Sequence, residues 1–313
     1  MRLDLVLNII QFFMMIKKNI RTISSFFIVP FVHPFARKNV IKTFIRIIKW
    51  QILSRQKTKI IKTWVNNLKV ICKNGDTGFT GNLYYGLMEY QDMSFVLHLL
   101  DSDDTFIDIG SNLGSYTLLS GGVCRSSTYS LEPSPSTYKR LIENVQINNL
   151  DNVYCLNMGA GDKNGSFYMT DDKGPENHLI VDDKIHTNGI KVTVKKVDDI
   201  EFKTKPTFMK IDTEGCEYQV IKGARKTLES DQMIGLLVEI NGNNDRFNGT
   251  NHEILSLLSE MNYQPYEFDY SNKVLKKIHN INSRGNTLFI KNYEDASKKI
   301  KAFQGTTLWN ISI

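Results

Sequence analysis

From about residue 75 onward, the apolar positions fall into short, nearly continuous runs separated by stretches of helical periodicity. Such runs, bounded by turn signals, predict buried strands. Their alternation with amphipathic segments predicts a mostly parallel sheet with crossover helices on both faces. Strands are expected at 105–109, 128–131, 153–157, 207–211 and 236–239, with helices at 133–148 and 251–261. Two further apolar runs, 263–268 and 287–290, are expected to be antiparallel to the rest. Residues 171–190 form a polar stretch between an inferred hairpin and another apolar run, 192–194.

The first 74 residues follow another pattern. Val40, Ile41, Phe44, Ile45, Ile48 and Ile52 recur at three- and four-residue spacing, and Lys38, Lys42, Arg46 and Lys49 are expected on the opposite side. Two earlier apolar stretches lie in uncharged runs of 12 and 15 residues. A bilayer-spanning helix needs about 20 such residues. Lys17, Lys18 and Arg21 separate the runs, and Pro30 and Pro34 interrupt the second. Neither a membrane span nor a cleaved leader is expected.

Charge sharpens the division. The chain of 313 residues carries a net charge of +6, but residues 1–74 hold 15 Lys or Arg and one acid, and residues 75–313 hold 24 basic and 32 acidic residues. We therefore read a basic helical extension (1–74) and a catalytic body (75–313). The extension is expected either to cap the body or to rest on an anionic membrane surface. Nucleic acid is not expected, since no reading module interleaves aromatics with the cations. At 41% hydrophobic and 23% charged, the composition is that of an ordinary globular chain and excludes low-complexity disorder. The four cysteines form neither a zinc pattern nor a disulfide framework, which suits a reducing, cytoplasmic setting, on the cytosolic membrane face if the extension binds lipid.

The loop after the first strand of the body carries the most specific chemistry. A dinucleotide fingerprint needs glycines at the first, third and sixth positions of this turn. Gly110 is followed at those offsets by Asn112 and Ser115, so a nicotinamide enzyme is disfavoured. What stands is Asp108-x-Gly110-x-x-x-Gly114, with Glu132 closing the next strand. A glycine turn lets backbone approach the amino-acid end of S-adenosylmethionine, and a carboxylate accepts both hydroxyls of a ribose. The loop holds no Lys or Arg, as suits a ligand without phosphate.

The run 106–117 resembles the first motif of FkbM-type methyltransferases, as does Leu131-Glu132-Pro133. Residues 209–217 (Met-Lys-Ile-Asp-Thr-Glu-Gly-Cys-Glu), with 220–224 after them, resemble that family's second hallmark, and 237–240 and 286–290 its last strands. The resemblance spans roughly residues 80–290. Ser111 stands where Ala is expected. It implies a class I methyltransferase fold, S-adenosylmethionine as donor, and methylation of a hydroxyl, often on a sugar or polyketide. The acceptor is then a small molecule or glycan, lipid-linked if the extension sits at a membrane.

Candidate residues follow. Asp108, Gly110, Ser111, Asn112, Gly114, Tyr116, Thr117 and Glu132 are expected at the donor, with Asp162 near its adenine. Asp212, Glu214 and Glu239 fall at or just beyond the carboxyl ends of strands, at the expected acceptor side. A hydroxyl is a poor nucleophile until it loses its proton, so Glu214 or Asp212 is the expected general base. Asp212 and Glu214 are read as opening the following helix, with Glu217 in its next turn, where acids also satisfy free amides. Lys210, inside its strand, should pair with a carboxylate. Glu89 and His178 are candidates for the acceptor, with His186 in the same polar stretch. No metal is expected, although the Asp-x-Glu step offers oxygen ligands. A non-catalytic binding module of the same fold is the other functional class.

Overall fold

A computed structural model of the protein describes residues 27–170, 179–180, 189–240, 250–279, 281, 285–309 and 311–312. His178 and His186 lie outside the described residues. The N-terminal part contains helix α1 (Val40–Gln56), the hairpin strands β1 (Ile60–Thr63) and β2 (Lys69–Cys72), and helices α2 (Thr77–Tyr85) and α3 (Tyr90–Leu99). Then come β3 (Thr105–Ile109), the helical turn α4 (Ser115–Leu118), β4 (Ser127–Leu131), α5 (Pro135–Gln146) and β5 (Val153–Leu156). A small sheet follows, of β6 (Gly159–Ala160), β7 (Gly165–Thr170), β8 (Leu179–Ile180) and β9 (Gly189–Lys195). The chain continues through β10 (Phe208–Ile211), α6 (Glu217–Gly223), α7 (Arg225–Glu229), β11 (Gly235–Ile240) and α8 (Asn251–Glu260). It then adds β12 (Gln264–Asp269), β13 (Val274–Lys277), β14 (Gly285–Ile290) and α9 (Tyr293–Ala302).

The main sheet runs β13-β12-β14-β11-β10-β3-β4-β5. The pairs from β5 across to β11 are parallel, and β14 is antiparallel to both β11 and β12. This is the class I methyltransferase arrangement. Because side chains alternate along a strand, the buried strands feed two cores. Phe106, Phe208 and Leu237 pack with Phe95 and Leu97 of α3 on one face. Ile107, Met209, Ile211 and Val238 pack with Val220, Leu228, Ile254 and Leu258 on the other. Asp108 and Lys210 share the parity of Phe106 and Phe208 and are register partners on adjacent strands. They sit where the strand order reverses, between β3 and β10, which is where open α/β sheets bind ligands.

The extension shares the body's core. Helix α1 buries Thr43, Ile47, Trp50 and Ser54, and Phe35, Ile47, Trp50, Ile60 and Trp64 join the same apolar cluster as Phe95 and Phe106. The expected division at residue 74 thus falls inside continuous packing. The isoleucine stripe of α1 points outward, and Arg46, on the opposite side, turns inward to donate to the Tyr84 carbonyl (3.0 Å). One correction concerns the loop after β10. Asp212 and Glu214 precede the helix, which begins only at Glu217, because Glu214 and Gly215 adopt positive φ (55° and 117°).

Candidate active site

The loops after β3, β4 and β10 meet the end of β11, at Glu239, around a cleft of about 640 Å³. Its floor is set by close approach of backbone. Gly110 has φ +78°, and a Cβ on it would lie 1.8 Å from the Asp212 carbonyl oxygen. Only glycine lets the β3 and β10 loops touch in this way. The Gly110 and Ser111 amides both donate to the Leu131 carbonyl (3.0 and 3.1 Å), which ties the glycine loop to the end of β4.

At one end of the cleft Glu132 is held by two backbone amides: Oε2 accepts from Asn112 N (3.0 Å) and Oε1 from Ser134 N (2.9 Å). Each oxygen keeps lone-pair capacity for a further donor. Burial pushes this carboxyl up to about 7 even so, the two amides opposing the shift. Gly110, Ser111, Asn112, Tyr116 and Glu132 line the cleft; Thr117 stands behind it, fully buried, donating to Asp108 Oδ2 (2.6 Å) and bonding Ser130 Oγ (2.7 Å). Gly114 caps α4 in the left-handed conformation. Asp162 is set apart from these residues. It is absent from the cleft wall and pairs with Lys222 (3.4 Å).

The other end is acidic. Lys210 is buried, its Nζ 2.7 Å from Asp212 Oδ2 and 4.8 Å from the centre of the Tyr116 ring. Tyr116 donates its hydroxyl to Glu89 Oε2 (2.6 Å). Oxygens of Asp212, Glu214 and Glu239 lie within 4.8 Å of one another, an oxygen set that could also hold a cation. Glu239 Oε2 is buried without a hydrogen-bond partner among the described residues. Burial, followed by the neighbouring Asp212 and Glu214 charges, raises its carboxyl to about 8. Glu217 has a different task. Its Oε1 accepts from Thr213 N (2.9 Å), Thr213 Oγ1 (3.0 Å) and Gly215 N (3.2 Å), so it shapes the loop that presents Asp212 and Glu214.

Several contributors leave no mark in the sequence. Asp76, buried, binds Arg140 of α5 across 64 residues (Nη1 to Oδ1, 2.6 Å) and accepts from Lys73 N (2.7 Å), which fixes the cleft's rim. Asp92, raised to about 7 by burial and by Glu89, accepts from Asn286 of β14 (3.1 Å) and supports the acidic end from below. Met88, Met93 and Met169 supply the apolar lining. These pairings join distant segments, and no local pattern announces them.

The donor end fits S-adenosylmethionine on its own geometry. A cradle that a Cβ would fill offers backbone approach, and the buried Glu132 carboxylate keeps acceptor capacity on both oxygens, enough for two hydroxyl donors. A family model, "Methyltransferase FkbM domain", matches residues 108–265. The chain is 28% identical over 172 residues to the hexuronic acid methyltransferase AglP of Haloferax volcanii, an alignment covering 53% of this chain and 65% of that one. It is 27% identical over 146 residues to methyltransferase 1 of Beauveria bassiana, covering 39% and 59%. The chain thus spans less than two-thirds of the length of either relative. Precorrin-6y C5,15-methyltransferase from Geobacter metallireducens superposes with a TM-score of 0.39 at 11% identity, over 66% of this chain and 88% of that one. With half the chain under the family model, including the glycine loop, Glu132 and the acidic loop after β10, the protein belongs to the FkbM methyltransferase family.

Proposed function

We propose that the protein transfers a methyl group from S-adenosylmethionine to a hydroxyl of a sugar-type acceptor, with Glu239 receiving the hydroxyl proton. The observation that carries this reading is the raised, partly unsatisfied Glu239 carboxyl facing the same cleft as Glu132. When bound, S-adenosylmethionine supplies an activated methyl group, so alignment contributes much of the acceleration. Glu132 and the Gly110 loop hold the donor, and Lys210 fixes Asp212 at the acceptor side. That ion pair already engages Asp212 Oδ2. Glu214 is set by a left-handed backbone, and Glu239, with a pKa near the working range, is the better proton acceptor.

The charge at this end bears on the acceptor. Glu89, Asp212, Glu214 and Glu239 gather around one buried cation, Lys210. A carboxylate-bearing sugar would add another negative charge, so we infer a neutral or amino-bearing sugar, in contrast to the hexuronic acid of the Haloferax relative's name. The loop Asp212–Thr213–Glu214–Gly215 also offers no aromatic or proline to stack a base. A second expected partner, an anionic membrane, is a separate proposal resting on the extension's own surface.

The test is a methyl-transfer assay on a panel of neutral, amino and uronic sugars, with Glu239→Gln beside the wild type. Wild-type kcat/KM should rise with pH through about 8 as the base loses its proton. The variant should lose about 10²–10⁴-fold in rate and keep its affinity for S-adenosylhomocysteine. An unchanged rate would remove the proton role, and retained donor binding with no transfer in the wild type would favour a non-catalytic module.

A further inference from the structure

Helix α1 presents the wrong face to water for a cap. Its docked side carries the hydroxyls of Thr43 and Ser54 beside Ile47 and Trp50, while Ile41, Ile45, Ile48 and Ile52 are 76%, 44%, 57% and 53% exposed. At 3.6 residues per turn these four form one stripe, roughly opposite the buried row, with exposed Lys42 and Lys49 along its flank. The preceding segment widens the patch. Phe27 and Phe31 set their rings 6.2 and 6.1 Å from that of Phe44, and Phe27, Ile28, Phe31 and Val32 are all exposed. An apolar surface of this extent, bordered by cations, is an interaction surface.

We infer that this face of α1, with residues 27–32, docks on an anionic lipid bilayer. Charge selects the occupant. Residues 1–74 carry 15 basic residues and one acid, so a second copy of the chain would set like charge against like. An anionic headgroup layer complements the lysines, and the acyl boundary takes the isoleucines and phenylalanines. No helix among the described residues is long and apolar enough to cross a membrane, so the contact is one that lies on the surface. Docking also brings the cleft to the lipid. Helix α1 holds α2 through Arg46 to the Tyr84 carbonyl and Gln51 to the Tyr84 hydroxyl (2.7 Å), and α2 contributes Gly78 and Asn82 to the cleft wall. A membrane-borne acceptor would therefore meet a cleft one helix away, a point that rests on the methyl-transfer reading; the docking does not.

Flotation of the full chain with vesicles tests this, comparing phosphatidylcholine alone with phosphatidylcholine containing phosphatidylglycerol. The wild type should float with the anionic vesicles only, and less so in high salt. Ile41→Glu/Ile48→Glu and, separately, Lys42→Gln/Lys49→Gln should each lower the bound fraction at least tenfold, with S-adenosylhomocysteine affinity by calorimetry unchanged. Failure of the wild type to float would overturn the proposal. So would undiminished flotation of the isoleucine variant, which assigns the lipid contact to residues 1–26. Lipid-free dimers in light scattering that the isoleucine variant dissolves would assign the face to self-association instead.

Discussion

Glu132 stands between two demands. Burial favours its neutral form, and the amides of Asn112 and Ser134 favour the carboxylate; the balance leaves the group at about 7. Hydroxyl donors of a bound ribose would add to the amide side, since hydrogen bonds to a charged acceptor contribute about 1.5–3 kcal/mol. Glu132→Gln should therefore weaken S-adenosylhomocysteine binding roughly ten- to a hundredfold. Wild-type affinity should fall as pH drops below about 7, where the carboxylate gains a proton, and the variant's should not. Calorimetry across pH reads both; equal pH dependence in the two proteins would remove Glu132 from the donor site. This residue was legible in the sequence because its context is local, one strand ending in an acid after a glycine loop. The role of Glu217 was not. Its carboxylate turns back to Thr213 and Gly215 only because Glu214 and Gly215 take positive φ, and an Asp-x-Glu-Gly string does not disclose which residue pays that strain.

At the level of elements, the strands of the main sheet were legible and the helix faces less so. Runs such as 208–211 are apolar apart from Lys210 because they are buried on both sides, which alternation with helices reveals. The small β6–β9 sheet was visible only as a hairpin and an apolar run, since β7 and β9 bury few of their side chains fully. Edge strand β13 was missed for the same reason: it is four residues long with two lysines. Helix α1 was legible as a helix, but periodicity names an apolar face without saying what covers it. The side that packs is the less apolar one, chosen because Trp50 fills a hole in the body's core and Arg46 reaches the Tyr84 carbonyl and stacks 4.0 Å over the Trp309 ring. The shared core makes a quantitative expectation. Trp50→Ala should cost about 3–5 kcal/mol, the range for emptying a buried aromatic site. Urea unfolding should keep one transition, displaced to lower denaturant; two transitions would mean that the extension folds as a unit of its own.

At the scale of the whole molecule, a cluster of carboxyls raised by burial at the cleft gives the stability a definite pH dependence. Asp92, Glu132 and Glu239 lie in or under the cleft with folded values of about 7, 7 and 8, each raised first by burial. In the unfolded chain such carboxyls titrate near 4. Between these limits the native state binds more protons than the unfolded state, so stability falls as pH rises. Two buried histidines act oppositely over part of that span. His33, bonded to the Leu87 carbonyl (2.7 Å), and His98, bonded to the Ser94 carbonyl (2.7 Å), are lowered by burial, so they withdraw stability as pH falls below about 6.5. Lys210, raised above its ordinary value by Asp212 and Asp108 despite burial, is fully protonated throughout and takes no part. Between about 6.5 and 8 the carboxyls therefore act alone. The melting temperature should decline from about pH 6.5 through about pH 8. It should decline further above about 8.5, where Cys72, Cys124, Cys155 and Cys216, raised by burial, would ionise only in the unfolded chain. Below about 6.5 the opposing groups should flatten the curve. Glu239→Gln should raise the melting temperature near pH 8 and shallow the decline, because it removes a charge forced into a site already holding Asp212 and Glu214. The substitution proposed to slow methyl transfer should thus stabilise the fold, and calorimetric scans of both proteins at pH 6.5 and 8 decide it. A variant melting below the wild type at pH 8 would mean that the Glu239 carboxylate has a partner holding it ionised, and the acidic end would then be a binding site for a cation rather than a poised base.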